Sequence, residues 1–143
     1  MAGLLLSGPA GAGKSQEAAR LAAEATRPTV IADFQAITVA VLGHTRRPDG
    51  SYPKRPTWAL PLIEHVRRTV IDAATARELD VIATNSDGDA ARRASLLERL
   101  GPGSTERVID PGEDVVTARL TDSVTGGLDP ECGAAIGRWY GRR

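Results

Sequence analysis

Hydrophobic and polar positions along the chain switch repeatedly between a strand-like and a helix-like period. Gly3-Leu4-Leu5-Leu6-Ser7 is an unbroken apolar run, as in a strand buried on both faces, and Gln16 to Ala25 is an alanine-rich run of strong helix formers. Thr29-Val30-Ile31-Ala32-Asp33 predicts a second buried strand. Phe34 to Leu42 fits either element: Phe34, Ile37 and Val41 have helical spacing, whereas Ile37, Val39 and Val41 alternate as in a strand. Residues 43–57 are polar and rich in Pro and Gly, with a turn at Pro48-Asp49-Gly50.

From about Trp58 to Glu78 the pattern is again helical. Ile63, Val66, Val70, Ile71 and Ala74 form its apolar face, and Pro61 is tolerated in the first turn. Leu79 to Thr84 predicts a third strand. A helix capped by Ser86 or Asp87 follows, carrying Ala90, Ala94, Leu97 and Leu100 and stopped by Gly101. Arg107-Val108-Ile109-Asp110 is a fourth strand, ended by Pro111-Gly112. Glu113 to Val124 reads as helix, Gly126-Gly127 breaks it, and Asp129-Pro130-Glu131 opens a last helix through Tyr140.

Strands alternating with helices imply an α/β domain of three layers: a short parallel sheet of about four strands between helices. Ligands in such sheets bind beyond the carboxyl ends of the strands. Four segments therefore converge on one cleft: residues 8–15, Asp33, Thr84-Asn85-Ser86, and Asp110-Pro111-Gly112.

The first of these segments carries the chemistry. Gly8-Pro9-Ala10-Gly11-Ala12-Gly13-Lys14-Ser15 fits the phosphate-loop pattern G-x-x-x-x-G-K-[ST], which arises by chance in on the order of one chain of this length in a hundred or two. It lies between a strand and a helix, the setting that the chemistry requires. The backbone from Gly8 through Ala10, Gly11, Ala12 and Gly13 to Lys14, Ser15 and Gln16 can wrap a polyphosphate with its N–H groups inward. Lys14 reaches the β- and γ-phosphates, the Ser15 hydroxyl ligates Mg²⁺, and the helix N-terminus faces the anion. The expected cofactors are ATP or GTP with Mg²⁺. Glycines at 8, 11 and 13 do not fit the dinucleotide fingerprint G-x-G-x-x-G.

Composition narrows the picture further. The 143 residues suit a single domain, 1–143, and 18 basic against 18 acidic side chains argue against a broad nucleic-acid or membrane footprint. Nucleic acid fits only as a substrate end. Arginine is the habitual cation, so the lysine at position 14 agrees with a need for a compact charge. The single Cys132 cannot form an internal disulfide, and Cys and His show no zinc spacing. No apolar run approaches transmembrane length, and the first strand begins too early for a signal peptide, so the expected location is cytoplasmic.

The ordered series of phosphate loop, strand ending in Asp33, strand ending Ala83-Thr84-Asn85, and strand leading to Arg119 in the next helix resembles a family. It is similar to the small phosphoryl-transfer kinases allied to polynucleotide kinase and to the zeta-toxin and gluconate-kinase groups. Gly50-Ser51-Tyr52-Pro53, Asp110-Pro111-Gly112 and Arg138-Trp139-Tyr140 further resemble small P-loop ATPases encoded near phage head genes. The resemblance implies transfer of the γ-phosphate to a hydroxyl acceptor. Asp33 would orient or deprotonate that hydroxyl, and Arg119 would be the lid arginine that neutralises charge on the phosphoryl group. Arg138 is a second candidate, and Trp139 and Tyr140 are expected to pack the last helix.

Residues 43–57 would face the acceptor and residues 113–127 would form the lid. The alternative readings are a solvated strand-end carboxylate for Asp33 and a surface side chain for Arg119. The chain departs from many relatives in having no acid late in the third strand, where Ile82-Ala83-Thr84-Asn85 stands; Asp80 comes too early. Metal would then rest on Ser15, the phosphates and water, with Asp33 acting through water. A rival reading is an NTPase or nucleotide-gated assembly factor with a protein partner, of the kind used in phage morphogenesis. A binding module without turnover is a third.

Overall fold

The computed structural model describes residues 3–43, 55–121 and 130–141. Strand β1 (Gly3–Ser7) leads through the phosphate loop into helix α1 (Lys14–Glu24), and β2 (Thr29–Ala32) follows. Helix α2 (Phe34–Leu42) resolves the ambiguous stretch, because the Asp33 carboxylate accepts from the Ala36 amide and so caps a helix start. Then come α3 (Ala59–Thr75), β3 (Asp80–Asn85), α4 (Ala90–Leu100), β4 (Thr105–Val108), α5 (Glu113–Leu120) and α6 (Pro130–Trp139). The turns and motifs expected within residues 44–54 and 122–129 lie outside the described residues, as do His44 and Lys54.

The sheet is fully parallel, in the order β2-β3-β1-β4. Its central strands are buried on both faces, which explains their unbroken apolar runs. Leu5, Val81 and Ala83 face Ile71 and Ala74 of α3 and Leu96 and Leu100 of α4. Leu4, Leu6 and Ile82 face Ala18 of α1. Each large aliphatic side chain sealed this way contributes about 1.5–3 kcal/mol. Ile37 of α2 packs on Ala59 and Ile63 of α3. Val116 of α5 and Ile136 of α6 close over Ala12 of the phosphate loop, joined by Tyr140, so the last helix packs as expected.

Four local expectations are corrected. Helix α3 ends at Thr75, because residues 76–78 turn and Glu78 adopts a left-handed φ of 56°. The cap of α4 is Asp89, which accepts from the Ala91 amide, whereas Asp87 belongs to a turn with Asn85. The α4 side chains sealed inside are Leu96 and Leu100, with Leu97 only partly covered. Strand β4 begins two residues earlier than predicted, and pairing with β1 sets its register: Leu4 lies opposite Thr105 and Ser7 opposite Val108.

Candidate functional site

The site is built where β1 stops. Gly8 follows Ser7 so tightly against β4 that an added Cβ would lie 2.1 Å from the Ile109 carbonyl oxygen, so only glycine fits. Its amide donates to the Asn85 carbonyl at 3.0 Å, which binds the loop to the end of β3. Gly13 precedes α1 with φ of 94°, a left-handed conformation that turns the chain into the helix. The free amides of the first turn of α1 then point back into the loop.

Lys14 is 8% exposed, with its ammonium donating to the Gly8 and Pro9 carbonyls at 2.9 and 2.8 Å. Burial pushes its pKa down to about 8, against the opposing charge of Asp33. The lysine thus waits inside the loop, satisfied by the loop's own oxygens, with its charge held in poor solvent. A polyphosphate would add countercharge to that of Asp33.

On the β2 side, an oxygen cluster surrounds the first turn of α1. The Ser15 hydroxyl lies 3.0 and 2.9 Å from the two Asp33 carboxylate oxygens and 3.1 Å from Gln35 Oε1. Asp33 is 3% exposed; besides Ser15 it accepts from the Thr84 hydroxyl at 2.7 Å and from the Ala36 amide at 2.8 Å. The structure thus places the Asp33 carboxylate beside the Ser15 hydroxyl, and the acid is buried rather than a solvated strand end.

Thr84, next to last in β3, is the joint of this arrangement. Its hydroxyl accepts from the Phe34 amide at 3.1 Å while donating to Asp33, so it fixes both the start of α2 and one carboxylate oxygen. Behind it stands Arg67, a buried guanidinium donating to the Thr84 carbonyl and, at 3.0 Å, to Glu64. The sequence placed Thr84 at the cleft but gave it no role, and Gln35 and Arg67 are absent from the site read there. Arg67 did leave a signal: it falls midway between Ile63 and Ile71, on the stripe that α3 buries. An arginine there must be spent on a buried partner.

Oxygen donors of this kind suit Mg²⁺, a hard cation usually held by few protein groups, phosphates and water. Among the described residues no three His, Cys, Asp or Glu side chains cluster as a metal cage. A cation carried in with a nucleotide would fit this set, with Ser15 as the residue to hold it and Asp33 and Gln35 beside it. Asp80 lies at the opposite end of β3, beside Arg27 at 3.9 Å.

On the β4 side, Arg119 of α5 reaches the loop, donating to the Gly11 carbonyl at 2.9 Å, while Leu120 packs on Gly11. Asp110 accepts from the Gly112 amide and, at 2.6 Å, from the Tyr140 hydroxyl; the Tyr140 bond chiefly holds its pKa below the usual carboxylate range. That aspartate ties α6 to the turn before α5. Arg138 is exposed on the last turn of α6, whose backbone passes Gly88. The structure thus brings Lys14, Ser15, Asp33 and Arg119 to one loop and puts Arg138 on the outer helix.

A parallel sheet of this order, with a phosphate loop after its first strand, is a fold shared with solved kinases. Solved structures agree. The chain matches a chain in the Pnkp1/Rnl/Hen1 RNA repair complex with a TM-score of 0.71 and 14% identity, over 96% of its own length but only 42% of that chain. It matches a gluconokinase from Sinorhizobium meliloti 1021 with a TM-score of 0.57 and 17% identity, over 99% of this chain and 74% of that one. A shikimate kinase from Acinetobacter baumannii, in complex with shikimate, gives 0.51 and 22%, over 83% and 62%. No protein-family model matches the sequence, and no curated protein sequence does. Among the described residues no helix is long and apolar enough to cross a membrane.

Proposed function

We propose that the chain is a Mg²⁺-dependent phosphotransferase that moves the γ-phosphate of ATP or GTP to a hydroxyl of a small-molecule or nucleotide acceptor. The observation that carries this reading is the buried Asp33 carboxylate within 3.0 Å of the Ser15 hydroxyl, beside the loop that holds Lys14. The loop amides and Lys14 bind the triphosphate. Ser15 would hold Mg²⁺ brought in with the nucleotide, and the ion would supply neutralisation of phosphate charge. Asp33, aimed by Thr84 and the Ala36 amide, orients the acceptor hydroxyl and takes its proton. The acceptor oxygen bonds to the γ-phosphorus as the bond to the β-bridging oxygen breaks, and the nucleoside diphosphate leaves. Arg119 moves from the Gly11 carbonyl to the transferring oxygens, with residues 113–127 as its lid and residues 43–57 on the acceptor side.

A second reading is an NTPase or nucleotide-gated assembly factor with a protein partner, in keeping with the phage-protein resemblance. The threonine at the end of β3 favours it, because a site without a strand acid has one less group for catalysis. The RNA-repair neighbour, which sits in a multiprotein complex, is compatible with it. The two readings part in an assay with γ-labelled ATP and a panel of nucleosides, 5′-hydroxyl oligonucleotides, sugars and small metabolites. Phosphotransfer predicts a labelled acceptor, and Asp33→Asn retains nucleotide binding while losing the label. Hydrolysis alone, undiminished in Asp33→Asn, supports the NTPase.

A further inference from the structure

Strand β2 ends before its neighbour does. Its last pair joins Ala32 to Ala83, and the chain then turns at Asp33 into α2, while β3 runs on through Thr84 and Asn85. Carbonyls along a strand point alternately to its two sides. The Asn85 carbonyl faces β1, where it accepts from the Gly8 amide, so the Thr84 carbonyl faces the side that β2 has left. Arg67 of α3 takes the place of the strand donor and gives its N–H to that carbonyl.

This is a costly way to satisfy one oxygen. Arg67 is 5% exposed, on the buried stripe of α3. Its Nε is buried without a hydrogen-bond partner among the described residues, and Glu64, 3.0 Å away and a quarter exposed, supplies its countercharge. A buried donor left unpaired destabilises a fold, and apolar side chains in place of a buried ion pair are often no less stable. What the arginine does that an apolar residue cannot is hold Thr84.

Thr84 in turn directs Asp33. Its hydroxyl donates to one carboxylate oxygen at 2.7 Å and accepts from the Phe34 amide, while the other carboxylate oxygen takes the Ala36 amide at 2.8 Å. From this chain of bonds we infer that Arg67 is a positioning residue for phosphoryl transfer: through Thr84 it sets the angle at which Asp33 meets the acceptor hydroxyl. The inference rests on the phosphotransferase reading and adds a residue to it. A general base must keep both distance and direction to the hydroxyl it deprotonates, so a slack Thr84 slows transfer. Nucleotide binding is spared, because the phosphate loop is tied to the other edge of β3, at the Asn85 carbonyl.

The test is a double-mutant cycle on the full chain. Turnover is read as ADP released from Mg·ATP in the presence of nucleosides, 5′-hydroxyl oligonucleotides, sugars and small metabolites, and binding by calorimetry with Mg·ATP. Arg67→Met should lower turnover about ten- to a hundredfold, with Mg·ATP affinity within about twofold of wild type. Arg67→Lys, which keeps a donor for the Thr84 carbonyl, should stay within about fivefold of wild-type turnover. In an Asp33→Asn background the further loss from Arg67→Met should shrink to about twofold or less, since no base is left to aim. A loss that persists in full in that background, or Mg·ATP binding that weakens in step with turnover, makes Arg67 structural only, and unchanged turnover in Arg67→Met also overturns the inference. Hydrogen exchange adds a readout without turnover: in Arg67→Met the Phe34 amide should exchange about tenfold faster while the Leu5 amide of β1 keeps its rate, and equal acceleration at both would mean general loosening. If Arg67→Met does not fold, Arg67→Lys decides in the same cycle, its smaller loss again vanishing in Asp33→Asn. Turnover undiminished in Asp33→Asn alone refutes the phosphotransferase reading itself, and the aiming of Asp33 falls with it.

Discussion

Replacing Lys14 by methionine should make the ligand-free protein more stable while abolishing its use of nucleotide. Methionine keeps the length and apolar body of the stem. With its pKa lowered from 10.5 to about 8, a lysine that stays charged at pH 7 costs the fold about 3 kcal/mol. Against this, the variant leaves the Gly8 and Pro9 carbonyls without their ammonium donor, about 1 kcal/mol each. The balance is a gain of about 1 kcal/mol at neutral pH.

The pH dependence is the sharper signature. Between pH 8 and 10.5 the unfolded chain holds the Lys14 proton more often than the folded one, so wild-type stability rises with pH through that window. Below pH 8 the whole cost is present. Urea denaturation of both proteins at pH 7 and pH 9.5 should show the advantage of Lys14→Met shrinking by about 2 kcal/mol and reversing sign. Other titrating groups are common to both and cancel in the difference. A stability difference that does not change with pH would refute the burial argument for Lys14.

Thr84→Val should cost about 1–3 kcal/mol, because the Phe34 amide loses its partner in a buried place; denaturation measures it, and Asp33-dependent transfer should fall further than nucleotide affinity. Arg119→Ala should lower turnover at least a hundredfold with less than a threefold change in nucleotide binding, as expected of a contact strengthened in the transition state. Hydrogen exchange of Glu113–Leu120 should slow when Mg²⁺ and a non-hydrolysable triphosphate bind, and unchanged exchange with normal turnover would return Arg119 to the surface.

What was legible in the sequence follows from how many physical demands met at each position. The phosphate loop stood out because Gly8, Gly13, Lys14 and Ser15 are each forced by steric or electrostatic need, and the structure gives a reason for both glycines. The buried strands were readable because apolar side chains are required on both faces. Their ends were not: β4 is aligned by its ladder to β1, a partner roughly a hundred residues away, and its own residues carry no record of that register. Asp33 was visible as a strand-end acid, yet its cap on α2 settles an element that periodicity left open. The role of Thr84, placed at the cleft, and the presence of Arg67 were missed for a shared reason. A buried hydroxyl and a buried guanidinium look like ordinary strand and surface residues until the groups they satisfy are seen in space.

Calorimetric titration of Mg·ATP into wild type and Lys14→Met at pH 7.5 bears on the whole reading, since the stability measurements already show whether the variant is folded. One site in wild type and no detectable binding in a folded, slightly stabilised variant is the expected result. Equal affinity in both proteins would mean that the buried lysine does not meet a phosphate, and the phosphotransferase would fall with it.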